Sequence, residues 1–237
     1  MTKLNNITTI IFDFGGTIDT DGIHWSEMFW EIYHKFNIPI TKQQYEEAYR
    51  NGEPKVEKEI SKNDTFNKTL NTQIYYQFNY LFQNNILNDN QYYKYIELIT
   101  TDCYNYVKYN IAKSTNILKL LANKYSLGLV SNFYGNIAAV LKEFYIDKYF
   151  SSVVDSSEVG ITKPNPEIFS IAINELDAGP ADCVVIGDSY PRDIQPAKLL
   201  GCKTIWLDGK SWSRPTDITD ADFTINSLIE IKELLNN

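Results

Sequence analysis

From about residue 127 onward, short apolar runs and helical patterns alternate with a regularity that few architectures accommodate. Leu127–Val130, Val153-Val154, Cys183–Ile186, Lys203–Leu207 and Phe223–Ile225 read as strands. Helical spacing falls over about 114–124, over 135–145 through Ile137, Val140, Leu141 and Phe144, and after Pro166 through Phe169, Ile173 and Leu176. A further helix is predicted from Asp193 to Leu200, with Gly201 as its stop, and a last one behind the capping box Ser227-x-x-Glu230. One more strand, Ile7–Asp13, opens the chain. Strands that alternate with helices pair in parallel and are covered on both faces. The expected core is therefore α/β, a doubly wound parallel sheet of Rossmann-like type.

Between the first strand and this alternation the character changes. Residues 21–110 hold two glycines, Gly22 and Gly52, and two prolines, Pro39 and Pro54. Trp25, Met28, Phe29, Ile32 and Phe36 make one helical face. Thr41-x-x-Gln44 fits a capping box opening a second helix through about Arg50. Phe66, Leu70, Ile74, Phe78, Leu81 and Phe82 mark a third, and 90–109 reads as a fourth. Residues 21–110 are thus expected as an all-helical insert in a core made of 1–20 and 111–237. Hinges are expected near Thr20–Gly22 and Asn110–Ser114.

Charge narrows the partners. The formal net charge is −8 at pH 7, the wrong sign for a phosphate-backbone binder, so no nucleic-acid partner is expected. The tyrosines of 75–109 read as interior and groove-lining residues of the insert rather than a base-stacking surface. No apolar run approaches the roughly 20 residues of a membrane span, and no targeting segment is evident. Cys103, Cys183 and Cys202 are odd in number and lack metal-ligand spacing, as expected of reduced thiols in the cytoplasm.

In open parallel sheets, ligands sit beyond the carboxyl ends of the strands. Three polar strand tips would converge there. Asp13 ends the first strand and can serve as a nucleophile, and Gly15-Gly16 lets the backbone turn its amides towards an anion. Thr17 can cap that turn. Ser131 and Asn132 offer neutral hydrogen bonds to an oxyanion. Lys163, in "GITKPNPEIF", is a point charge on a proline-stiffened turn. Asp188 and Asp193, in "VVIGDSYPRDI", are spaced to bind a hard cation with Asp13. Each feature has a plainer reading, as a strand-end turn, a helix cap or a solvated lysine; the four in order carry the weight.

Together they resemble the four motifs of the haloacid dehalogenase-like (HAD) superfamily. The matching stretches are "DFGGT" at 13–17, "VSN" at 130–132, Lys163 and "GDSYPRD" at 187–193, followed by a tail "DIQPAKLLGCKTIWLD" typical of the family. The helical insert is similar in kind to the type-1 cap of that superfamily. The resemblance implies a Mg²⁺-dependent hydrolase, most simply a phosphatase acting on a small phosphorylated metabolite. Asp13 would attack phosphorus in line and form an aspartyl phosphate, which water then cleaves. Mg²⁺ would be held by the Asp13 carboxylate, the Gly15 carbonyl and Asp188, with Asp193 acting directly or through water. Lys163 and Ser131 would orient the phosphoryl oxygens, and Gly16, Thr17, Asn132 and His24 would contact substrate.

One position departs from the pattern. The usual first motif, Asp-x-Asp-x-Thr, supplies a general acid and base at its second Asp, and Gly15 stands there. Such catalysis is worth roughly 10²–10⁴-fold. His24, Asp19 and Asp21 are the nearby candidates to replace it, His24 first because its ordinary pKa lies near neutrality. The alternatives are a phosphonatase-like C–P hydrolase, which needs a cap lysine among Lys35, Lys42, Lys55 and Lys58, or a catalytically inactive binding protein of the same fold.

Overall fold

The computed structural model describes residues 4, 6–88, 92–211 and 215–235. Strands β1 (Thr9–Phe12), β2 (Ser126–Ser131), β3 (Ser152–Asp155), β4 (Cys183–Gly187), β5 (Lys203–Leu207) and β6 (Phe223–Ile225) form one sheet, ordered β3-β2-β1-β4-β5-β6. Every pairing is parallel. The central strands β1 and β4 are buried along their whole length, which is why they read as unbroken apolar runs. Their side chains divide by the period of two. Ile10 and Phe12 join one apolar cluster and Ile11 another, on the opposite face with Val130, Val185 and Phe169. The chain winds outward from β1 through β2 and β3, then returns to β4 on the other side. The crevice between β1 and β4 is the place such sheets bind ligands. The Asp13 N–H donates to the Ile186 carbonyl at 2.9 Å, so the tips of these strands are locked side by side.

The insert is helical, as expected, and is built from α1 (Trp25–Lys35), α2 (Lys42–Glu59), α3 (Phe66–Gln83) and the first part of α4 (Tyr92–Leu121), which runs on past residue 110. Both halves of the Thr41/Gln44 capping box form. Three helices differ from the sequence reading. Helix α2 continues past Arg50 to Glu59 with Pro54 inside it. Gly52 there lets α2 approach α3 closely: a Cβ would stand 3.5 Å from that of Tyr76. Packing against α3 thus overrides two helix-breaking residues.

Helix α4 is one 30-residue element, where two helices with a break at 110–114 were expected. No glycine or proline interrupts 92–121, and polar residues at 113–116 do not stop a helix unaided. Ser114 is buried and its hydroxyl donates to the Ile18 carbonyl at 2.7 Å, tying α4 to the turn after β1. The predicted 193–200 helix is likewise re-divided, into a tight helical turn at Tyr190–Ile194 and a helix at Gln195–Leu199.

Candidate active site

The turn after β1 is built around two glycines. Gly15 has φ −74° and ψ 118°, ordinary extended backbone, whereas Gly16 has φ 92°, a region costly for other residues. A Cβ on Gly16 would also collide with the Asp188 carboxylate. Gly16 is therefore what allows the first and last motifs to close on one another.

Asp13 is buried at the tip of β1, and the other tips converge on it. Lys163 Nζ donates to Asp13 Oδ1 at 2.5 Å, to Asp193 Oδ1 at 2.6 Å and to the Val130 carbonyl at 3.2 Å. Thr17 Oγ1 donates to Asp13 Oδ2 at 3.0 Å and accepts from the Asp188 N–H at 3.1 Å. Asn132 clamps the backbone of Lys163 from both sides, its Oδ1 accepting from Lys163 N at 2.8 Å and its Nδ2 donating to Lys163 O at 3.0 Å. Ser189 N donates to Asp193 Oδ2 at 3.0 Å, and Trp206 Nε1 donates to the Asp188 carbonyl at 2.9 Å.

Asp13, Asp188 and Asp193 place ligand atoms within 4.8 Å of one another, all buried. Burial and the neighbouring carboxylates push the Asp188 pKa well up, and burial raises that of Asp193 to about 6 despite Lys163. Burial works against the Lys163 charge, but Asp13 and Asp193 outweigh it and raise its pKa, so it stays an ammonium. One lysine against three buried carboxylates leaves a charge deficit. An all-oxygen cluster of this kind fits a hard divalent cation.

The cluster forms the floor of a cavity of about 720 Å³. Asp13, Gly15, His24, Ser131, Asn132, Lys163, Asp188 and Asp193 line it, and α2 contributes Tyr49, Arg50, Glu53 and Glu57. Trp25, Phe133, Tyr134 and Arg192 also line it; none of these is among the site residues expected from the sequence, where Trp25 stands only on a helical face. Arg192 was visible inside the "GDSYPRD" motif, and Trp25 directly follows His24, but their shared cavity depends on the tertiary fold. Gly16 and Thr17 are not among the described lining residues. The Gly16 N–H donates to Asp19 Oδ1 at 2.8 Å, and the Thr17 hydroxyl is spent on Asp13.

The three candidates for the missing acid separate clearly. Asp21 accepts from the Ser227 hydroxyl and the Leu228 N–H at 2.9 and 2.8 Å, which uses it as a cap for a distant helical turn. Asp19 is fully buried and accepts from Gly16 N, Thr20 Oγ1 and Trp25 Nε1. Burial raises its pKa to about 7, with these hydrogen bonds opposing the rise. His24 does line the cavity. It is the N-cap of α1, its Nδ1 accepting from Ser26 N at 3.2 Å, so the neutral ring carries its proton on Nε2. Burial, and then the positive charge of Arg192, hold its pKa below the ordinary value.

Asp19 makes a testable contribution to the fold. Gly16 N donates to one Asp19 oxygen and Trp25 Nε1 to the other, so Asp19→Asn turns an amide N–H₂ against one of these N–H groups. The expected loss is ~1–3 kcal/mol of stability, read by urea denaturation at pH 7. Trp25→Phe in the same chain should recover part of it. The folded carboxyl holds its proton to about pH 7, whereas the unfolded one releases it near 3.8. The native state therefore binds more protons in that window, and the Asp19 contribution falls as pH rises through it. The Asn variant should lose that part of the pH slope; an unchanged slope would contradict the assignment.

A parallel α/β core with a carboxylate, a lysine and an acidic cluster at its switch point defines a class of hydrolases rather than a dehydrogenase-like nucleotide binder. The model of the haloacid dehalogenase-like hydrolases matches residues 7–201, and the chain belongs to that family. Curated relatives include the glyceraldehyde 3-phosphate phosphatase of Methanocaldococcus jannaschii, 33% identical over 39% of this chain and 40% of that one. The pyrimidine 5'-nucleotidase YjjG of Escherichia coli is 29% identical over 52% of this chain and 55% of its own. The chain thus spans about half or less of the relatives it matches. Among solved structures, the HAD-hydrolase YfnB of Bacillus subtilis, bound to magnesium, superposes with a TM-score of 0.62 at 19% identity, covering 98% of this chain and 99% of that one. A dehalogenase structure with an intermediate complex reaches 0.66 at 17% identity over the full length of both chains. These likenesses show the fold. No helix among the described residues is long and apolar enough to cross a membrane.

Proposed function

We propose that this hydrolase is a Mg²⁺-dependent phosphatase of a small phosphorylated metabolite, working through an aspartyl phosphate on Asp13. The observation that carries the reading is the buried network in which Lys163 bridges Asp13 and Asp193 while Thr17 orients the other Asp13 oxygen. Residues 1–20 and 111–237 would be the core and 21–110 the cap over it. Asp13, Asp188, Asp193 and the Gly15 carbonyl would hold Mg²⁺, which supplies charge neutralisation at the phosphoryl group. Lys163 and Ser131 would orient the phosphoryl oxygens, and Asn132 fixes the Lys163 backbone. The names of the curated relatives support a phosphorylated substrate. The cytoplasm remains the compartment the reading favours.

Leaving-group protonation has no evident owner. His24 faces the cavity, but its charged acid form is disfavoured. Asp19 has a suitable pKa but is sealed beneath Trp25, and Asp21 is committed elsewhere. We therefore rank no surrogate first, against the sequence-based preference for His24. The native enzyme should favour acyl or aryl phosphates, whose leaving groups depart as stable anions. The C–P alternative gains nothing from the geometry: Lys163 is the sole lysine among the described cavity-lining residues. Lys35 and Lys42 pair with Asp102 and Glu27, and Lys55 lies over Tyr76.

A phosphoester panel run with and without Mg²⁺ tests the reading. Metal-dependent release of phosphate is expected. Intact Mg²⁺ binding with no turnover across the panel would favour the inactive binding protein instead.

The metal site has its own test. Both Asp193 oxygens are occupied, by Lys163 and Ser189 N, whereas Asp188 receives only a long 3.4 Å contact from Thr17. Asp188→Ala should weaken Mg²⁺ binding more than Asp193→Ala, by ~10-fold or more against the same titration. The opposite order would refute the assignment.

A further inference from the structure

Arg192 lines the same cavity as Asp13 and Lys163 yet is not used by the chemistry above. It sits on the tight turn Tyr190–Ile194, between exposed Pro191 and buried Asp193. That turn is held firmly. Asp193 N and Arg192 N donate to the Ser189 carbonyl at 2.7 and 3.1 Å, and the Asp193 side chain is pinned by Lys163. The backbone of Arg192 is therefore fixed with the reaction centre, while its guanidinium is exposed and has no ion-pair partner among the described residues. Its charge is felt at His24 and Tyr49, on the wall contributed by the helical insert.

We infer that Arg192 is a specificity residue that binds a second anionic group, a carboxylate or a further phosphate, on the part of the substrate that is not transferred. The inference rests on the phosphatase reading and deepens it. A guanidinium presents several donors in a planar fork suited to oxyanions. The transferred phosphoryl would already have Lys163 and the cation that Asp13, Asp188 and Asp193 would hold for its charge. A cavity of about 720 Å³ leaves room beyond the phosphoryl group for such a substituent. Carboxylates also line it, Glu53 and Glu57, but Glu53 is engaged by Gln73 and Tyr134.

The test compares two phosphonates that differ by one carboxylate. Methylphosphonate and phosphonoacetate are titrated calorimetrically in the presence of Mg²⁺ into the native protein, Arg192→Ala and Arg192→Lys. The native protein should prefer phosphonoacetate by ~10–100-fold, the range of one charge-assisted contact. Arg192→Ala should cut that ratio to about threefold or less, with Arg192→Lys between the two. A native protein without the preference, or an alanine variant that keeps it, would overturn the inference while methylphosphonate binding leaves the phosphoryl site standing. Equal weakening of both ligands would overturn it too, since it would make Arg192 a contact of the shared phosphonate group rather than of a second anion. Failure of the native protein to bind either phosphonate would reject the phosphatase reading itself.

Discussion

Asp13→Asn is expected to reduce turnover by on the order of 10⁴-fold or more, the scale seen when a covalent nucleophile is removed. The amide cannot attack phosphorus, yet its volume matches the carboxylate. Its oxygen can still accept from Lys163, which also keeps Asp193 as partner. The loss should therefore lie in the rate and not in the fold. Steady-state rates on the best substrate of the panel, beside a thermal melt, separate the two. Near-native activity in a folded variant would remove Asp13 from the nucleophile's role. A variant that melts early would instead show that the buried charge network needs the carboxylate for stability.

Gly15→Asp is expected to act in the opposite direction, and selectively. It should raise turnover on alkyl phosphates by up to ~10²–10⁴-fold, the worth of general acid catalysis, and change aryl phosphates little. The backbone permits it: Gly15 has ordinary extended φ and ψ, and a Cβ there meets the Trp25 indole no closer than 3.7 Å. Gly15 also lines the cavity, so a carboxyl at this position lies near the reacting group. In the native enzyme the rate should depend steeply on leaving-group pKa. The dependence should flatten in Gly15→Asp. A shallow native dependence, unchanged in His24→Ala, Asp19→Ala and Asp21→Ala, would contradict the idea that the acid is missing.

The architecture was legible because parallel-sheet strands are buried on both faces and so read as apolar runs closed by a polar tip. Asp13, Ser131-Asn132 and Asp188 were placed on that basis, and the structure brings them together around Lys163. Element ends were harder. Pro54 and Gly52 signal a stop, but the contact of α2 with α3 outweighs them. The expected break at 110–114 is absent: buried Asn110 donates to the Tyr106 carbonyl within the helix and buried Ser114 to the Ile18 carbonyl, so one helix runs through.

The division of labour within the site was harder still. Asp19 and His24 are five residues apart, yet one is sealed under Trp25 and the other faces the cavity. Their pKa values move in opposite senses for the same cause, burial, because one is charged by losing a proton and the other by gaining it. No local pattern encodes that. The cavity wall contributed by Tyr49, Glu53 and Tyr134 joins residues from distant parts of the chain through side-chain contacts that spacing alone does not reveal.

The central claim is that Asp13 becomes covalently phosphorylated during turnover. Acid-quenching the native protein during turnover of an acyl or aryl phosphate, then mapping peptides by mass spectrometry, tests it directly. The account predicts one phosphoryl group on the peptide containing Asp13, labile to hydroxylamine and missing from Asp13→Asn. Turnover with a phosphoryl group on another residue, or with none on any peptide under conditions that preserve an acyl phosphate standard, would contradict it.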